Sequence, residues 1–448
     1  MTALDRAART ATAGWLAAMF AGAAVAQDDS SNKAPPPQDH AFHVQSTFIL
    51  QSHPGFHSPY DGPNSLGPAA QGRETFDVTL FAGLRPWRGA EIWVDEEVNQ
   101  GFALSNTEGV AGFVNGEGAK VGRVDPYLKM HRVFLRQTID LGGKVKAVDA
   151  DLNQLAGSQT ENRLVFTIGR FAVGDVFDTN SAAHDPRKDF LNWALIDTGA
   201  FDYAADAWGY TIGAAAEWYQ GPWTLRFGGF DLSDVPNSKT LEPGFDEFQL
   251  VGEVERRWTI SHKEGAVKLT GFLTRGRMGR YDDALALARA TDTTPSTSAV
   301  RRYQSRGGLS VNAEQDVGRG ITAFLRAGVA GGQVEPYEYT DVDRTFAAGV
   351  SVNGGAWGYK DDTVGIAGVV NEISKEHIAY LAAGGLGILV GDGRLPHPGS
   401  ERILEAYYDH ALGKIVHVTL DFQGVENPAY NRDRGPVPTF AVRLHAQY

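Results

Sequence analysis

From Ala41 to Tyr448 the chain repeats one pattern, in which apolar and polar residues alternate and turn residues break the runs. Phe76, Val78, Leu80 and Ala82 share one face of such a segment; Thr75, Asp77 and Thr79 share the other. Leu309, Val311 and Ala313 oppose Ser310, Asn312 and Glu314, and Val416, Val418, Leu420 and Phe422 oppose His417, Thr419, Asp421 and Gln423. In the last segment Phe440, Val442, Leu444, Ala446 and Tyr448 oppose Ala441, Arg443, His445 and Gln447. A period of two is the mark of a strand, whose successive Cβ atoms point to opposite faces. Segments of about 9–12 residues suit a tilted strand crossing a bilayer, with one face on lipid and the other on a lumen. Counting them predicts strands starting near residues 41, 74, 90, 128, 163, 208, 223, 246, 266, 301, 321, 345, 362, 402, 414 and 438, or about 16 in all.

A soluble sandwich also alternates, but three features favour a transmembrane barrel. The segments are longer than the usual strand. Their connections alternate in length: short at Arg85–Gly89, Gln220–Pro222, Thr259–Gly265, Gln315–Gly320 and Ala411–Gly413, long near 52–73, 99–127, 172–207, 277–299, 374–400 and 424–437. Trp87, Trp218, Trp223, Trp258 and Trp357 cluster at the short-turn ends, as an interfacial aromatic girdle requires. The fold class is therefore all-β: a transmembrane antiparallel β-barrel with short periplasmic turns and long extracellular loops. An even strand count brings both ends to the periplasmic rim, and a barrel this wide encloses water rather than a packed core. The stretch 141–162 is long for its rim, which leaves the count open by two.

Composition adds boundaries. Residues 1–26 read as a secretory signal, with Arg6 and Arg9 before an uncharged run and Ala24-Val25-Ala26 ahead of the cut. Residues 27–40 are polar and Pro-rich, a disordered periplasmic leader, and 41–448 form the barrel. Beyond the signal no apolar run is long enough for a spanning helix. The chain has no cysteine, so no disulfide framework is possible. A net charge of −13 argues against nucleic acid as a partner.

Several stretches resemble the OprB-type carbohydrate-selective porins of the bacterial outer membrane. They are His43–Phe48 (HVQSTF), Ser58–Leu66 (SPYDGPNSL), Val133–Thr138 (VFLRQT), Asp175–Asp178 (DVFD), His184–Arg187 (HDPR), Phe190–Leu195 (FLNWAL), Asp202–Asp206 (DYAAD), Tyr380–Gly387 (YLAAGGLG) and Asn427–Asn431 (NPAYN). The resemblance spans 41–448 and implies a passive, sugar-preferring channel; it leans toward monomers over trimers. One departure is Val94-Asp95-Glu96-Glu97, where family members tend to carry Asn-Pro-Glu; Glu96 would fall on the lipid face near the rim.

The third long connection, 172–207, is too long for a simple link; the resemblance implies that it folds into the lumen and narrows it, the alternative being that it caps the barrel and packs on itself. It carries Asp185 and Arg187 beside the flat Trp193, and a sugar needs planar hydrogen-bonding groups for its hydroxyls and an aromatic surface for its C–H face. Strand parity places Glu97, Arg132, Arg136, Glu217, Arg302, Arg306, Arg326, Asp421 and Arg443 inside, where opposed charges set up a transverse field. The plain alternative is that such charges only wet the wall. Inward arginines also fit a general porin or one preferring anions or organic acids. An enzyme on a barrel scaffold, or a secreted carbohydrate-binding β-protein, is disfavoured. No nucleophile elbow, Walker loop or zincin motif occurs, and no cofactor or metal is expected. The Gly-rich run between His377 and Asp392 lacks dinucleotide spacing and predicts a short helix plus loop. Expected partners are sugars, outer-membrane lipid and the barrel-assembly machinery, which would read the C-terminal strand.

Overall fold

The computed structural model describes residues 36–118 and 121–448. The signal segment and most of the leader lie outside the described residues. The described chain closes into a barrel of sixteen antiparallel strands. They are β1 (His40–His53), β2 (Gln71–Leu84), β3 (Ala90–Gly101), β4 (Arg123–Val148), β5 (Gly157–Phe171), β6 (Thr211–Gln220), β7 (Trp223–Asp231), β8 (Phe248–Ile260), β9 (Lys263–Met278), β10 (Arg302–Gly318), β11 (Ile321–Ala330), β12 (Arg344–Asn353), β13 (Thr363–Glu372), β14 (Glu401–Ala411), β15 (Val416–Glu426) and β16 (Val437–Gln447). Each pairs with its sequence neighbours, and β1 meets β16 in a seam from Gln45↔Gln447 to Ser52↔Phe440. Closure satisfies the ladder all round and leaves no edge, the condition for a sheet in hydrocarbon. Among the described residues no helix is long and apolar enough to cross a membrane.

The alternation becomes two surfaces. Leu420, Phe422, Phe440 and Val442 are exposed on the outer wall, while Thr419, Asp421 and Arg443 are buried inside. Trp87, Trp218, Trp223 and Trp357 are exposed at the short-turn rim, as expected of a girdle, and half-buried Trp258 donates there to Gln315 at 2.8 Å. Glu96 faces outward but pairs with Leu80 and Met130 in mid-strand, not at the rim.

The long stretch 141–162 resolves without changing the strand count. β4 and β5 run on past their neighbours, and the turn between them is 149–156. Gly142 and Gly143, at φ of 99° and 91°, sit at register shifts that bend this projecting ribbon. The predicted helix near His377 is present as Lys375–Ala382, with the following loop packed down so that Leu389 and Val390 are buried.

The lumen is not an open tube. Loops enter it and build an apolar cluster that includes Phe113, Phe190, Trp193, Leu195, Phe201, Tyr203 and Tyr339.

Candidate functional site

The third long loop, 172–210, folds into the lumen as expected, and the wall holds it by its backbone. Glu405 of β14 accepts from the Leu191 and Asn192 amides at 2.5 and 2.9 Å. Arg443 of β16 donates to the carbonyls of Pro186, Asp189 and Lys188 at 2.6, 2.8 and 3.0 Å. Arg326 of β11 donates to the carbonyls of Leu195 and Asp178 at 2.5 and 3.1 Å, and Arg306 of β10 pairs with Asp202 at 3.0 Å. Charge-assisted bonds in a dry interior are strong and directional, so the loop has one seat. The second long loop, 102–122, also enters, which sequence reasoning missed. Glu401 grips its Ala111 and Gly112 amides at 2.9 and 2.8 Å, and Gln51 and Gln423 both donate to Val114 at 2.8 Å.

Between these loops and the wall formed by β3 and β4 lies a chamber of about 310 Å³. Trp193, in a single helical turn capped by Asn192, stacks on Phe113 of the second loop with ring centres 5.1 Å apart and planes 12° apart. On the strand side β3 supplies Glu97. A bulge opposite Asp95 and Glu96 gives β4 an extra residue, so His131 and Arg132 both reach inward. His131 lies 3.1 Å from Glu97 and stacks on Tyr210 at 4.3 Å. Arg132 makes a two-pronged pair with Asp175 at 2.7 and 2.8 Å. Arg187 sits among three carboxylates, 3.0 Å from Glu97, 2.5 Å from Glu117 and 3.7 Å from Asp77. Those three come within 4.8 Å of one another, close enough for a metal ion, but the guanidinium already bridges them.

The sequence-predicted residues divide into four groups. Glu97, Arg132, Asp185, Arg187 and Trp193 come together around the chamber. Arg136 and Glu217 line a separate vestibule at the short-turn rim. Arg306, Arg326, Asp421 and Arg443 do face inward, but the loops cover them and they are at most 5% exposed. Arg302 departs from expectation: it opens β10 at the long-loop end, largely exposed, and pairs at 2.7 Å with Asp283 of the helix Tyr281–Thr291.

The model of the carbohydrate-selective porin family, OprB, matches residues 63–448. The chain belongs to this family. As a carbohydrate-selective porin of the bacterial outer membrane it is a channel, not an enzyme. The porin's fold is similar to the high-pH structure of Pseudomonas putida OprB, at 14% identity and a TM-score of 0.69 over 92% of this chain and 94% of that one. It is also similar to the outer-membrane channel DcaP of Acinetobacter baumannii, at 8% identity and a TM-score of 0.51 over 95% and 100%. Comparison with curated protein sequences returns no match.

The electrostatics of the porin's chamber are acidic. Two arginines there, Arg132 and Arg187, face five carboxylates, Glu97, Glu117, Asp175, Asp185 and Asp197. Burial pushes Glu117 up to about 7, helped by Glu97 and Asp185 and opposed by Arg187. Burial likewise lifts Asp197 to about 6 against the pull of His184. Asp185 is also buried, but Arg187 and Lys188 outweigh that and hold it below the ordinary carboxylate range. Of the chamber residues, sequence reasoning missed Phe113 and Glu117, whose loop it left at the rim, and His131, which strand parity points outward. The inward parity of Glu401 and Glu405 was the available signal for the anchors.

Proposed function

We propose that the porin passes neutral sugars by passive diffusion and selects them in the chamber beside Trp193. One observation carries this reading: an aromatic surface is set among polar groups with spare hydrogen-bonding capacity, while the charges of Arg132 and Arg187 are already paired with carboxylates. Among the described residues, buried Trp193 Nε1, Gln45 Oε1, His131 Nδ1 and Asn153 Oδ1 have no hydrogen-bond partner in the protein, and all four residues line the chamber. Unpaired buried polar atoms are costly, so a solute hydroxyl that supplied the missing partner would be favoured at each of them. A pyranose offers hydroxyls for these atoms and a C–H face for the indole. The anion or organic-acid reading needs free cations. Arg306, Arg326 and Arg443 are committed to the loop, and Arg132 and Arg187 to carboxylates.

The test is flux into vesicles carrying the refolded protein, comparing glucose, a disaccharide and an amino acid of glucose's size. Glucose entering faster than the amino acid supports the reading; rates set by solute mass alone sink it.

The same proposal covers the setting. The signal is cleaved after Ala26, the outer wall rests in outer-membrane lipid, and the assembly machinery reads the C-terminal strand. The chamber is complete within one chain, which supports a barrel that works as a monomer and does not need a trimer.

A further inference from the structure

The chamber has a wall from the opposite rim. The turn 149–156, which joins β4 to β5 at the short-turn end, folds back into the barrel, so that Leu152 and Asn153 line the same chamber as Trp193. Asn153 takes the left-handed conformation, at φ 54°. Its side-chain amide donates to Asp95 at 2.9 Å, and its carbonyl accepts from Arg136 at 2.5 Å. Arg136 in turn pairs with Glu91 at 2.6 Å. Beyond Asn153, Leu155 is 1% exposed and belongs to the apolar cluster that also holds Phe81 and Trp93. The end of the leader ties the turn down: the Gln38 amide donates to Ala156 at 3.0 Å, and the Ala156 amide returns a bond to the Gln38 side chain at 2.9 Å. On the far side is the vestibule of about 950 Å³, lined by Arg136, Leu155 and Glu217 and open to the short-turn rim. One turn therefore stands between two cavities.

We propose that this turn is a second, periplasmic selectivity element, with Asn153 as its positioning and specificity-determining residue at the exit of the chamber. A solute leaving the chamber for the vestibule passes Asn153, whose side chain Asp95 holds and whose carbonyl Arg136 holds across the path. The long loops then set what enters from outside, and the turn sets the size that leaves. Four contacts hold it: the ion-paired Arg136, the Asp95 carboxylate, the apolar anchor Leu155 and the Gln38 clasp. A connector that only joined two strands would need none of them. The inference rests on the sugar-channel reading only for its choice of solutes.

The chain has no cysteine, so Asn153→Cys carries the only thiol. Conductance in planar bilayers is measured before and after a bulky thiol reagent. The inference expects the labelled channel to lose at least half of its conductance. Lys146→Cys, on the exposed part of the projecting ribbon, is expected to keep it after the same treatment. In vesicles, Asn153→Ala is expected to raise the disaccharide-to-glucose flux ratio several-fold, with the barrel still shifting on heating in detergent gels. Unchanged conductance on labelled Asn153→Cys, or an unchanged flux ratio in Asn153→Ala, overturns the inference. Loss of glucose preference in the unmutated protein overturns only the sugar reading, because the conductance block is read with ions alone.

Discussion

At Trp193 two roles meet in one ring. It packs on Phe113 and Tyr339 at the centre of the buried cluster, yet its indole nitrogen has no partner in the protein. Stacking of this kind adds about 0.5–1.5 kcal/mol beyond simple burial. Trp193→Ala is therefore expected to weaken half-saturation of glucose flux roughly 2- to 10-fold. Trp193→Phe, which keeps the face and loses the donor, should fall between; equal half-saturation in all three proteins would remove Trp193 from the pathway. The acidic groups give a second expectation. Glu117 and Asp197 take up protons near 7 and 6, so lowering the pH from 8 to 5 strips negative charge from the chamber. Preference for potassium over chloride, read as zero-current potential in a salt gradient, should decline across that interval. Asp197→Asn should remove the lower part of the decline. Parity in the sequence located Glu97 and Arg132 in the lumen, because a strand's alternation fixes direction; it could not locate Glu117, which lies in a loop. It misplaced His131, because the bulge that turns this residue inward leaves no trace in the alternation.

The loops show why direction is not role. Arg306, Arg326 and Arg443 point into the barrel as parity requires, but the space they point into is occupied by polypeptide. Which loop groups they meet depends on contacts between residues more than a hundred positions apart, and no local pattern records them. The same holds for the 102–122 loop, whose length alone gave no sign that it turns inward. Arg326 makes a sharp test, since its guanidinium lies 3.6 Å from buried Asp178. Removing one partner of such a pair costs about 3–5 kcal/mol. A barrel survives this and a loop seat does not. Arg326→Ala should raise single-channel conductance, flatten the preference for glucose and open the 172–210 loop to protease, while the barrel keeps its heat-dependent shift on gels. Intact protease resistance at the loop would show that the remaining anchors suffice.

For the whole molecule, the strand count, the rim assignment and the girdle were legible because each follows from period two and turn spacing. The projecting ribbon was not, since its strands continue where a turn was due. Closure joins the barrel's first and last strands: the Tyr448 amide donates to Val44 at 2.8 Å and Val44 returns the bond at 2.9 Å. Deleting Tyr448 removes both bonds and the exposed terminal ring, and is expected to lower the amount of protein in the outer-membrane fraction. An unchanged yield would show that Tyr448 is not part of an assembly signal. The anchoring of the third loop has a last consequence. The wall grips main-chain amides and carbonyls at Pro186, Lys188, Asp189, Leu191, Asn192 and Leu195, atoms that residues of almost any kind possess. Side chains facing the water can therefore be exchanged without unseating the loop, and a lineage of such channels is free to retune its diet one substitution at a time on an inherited frame.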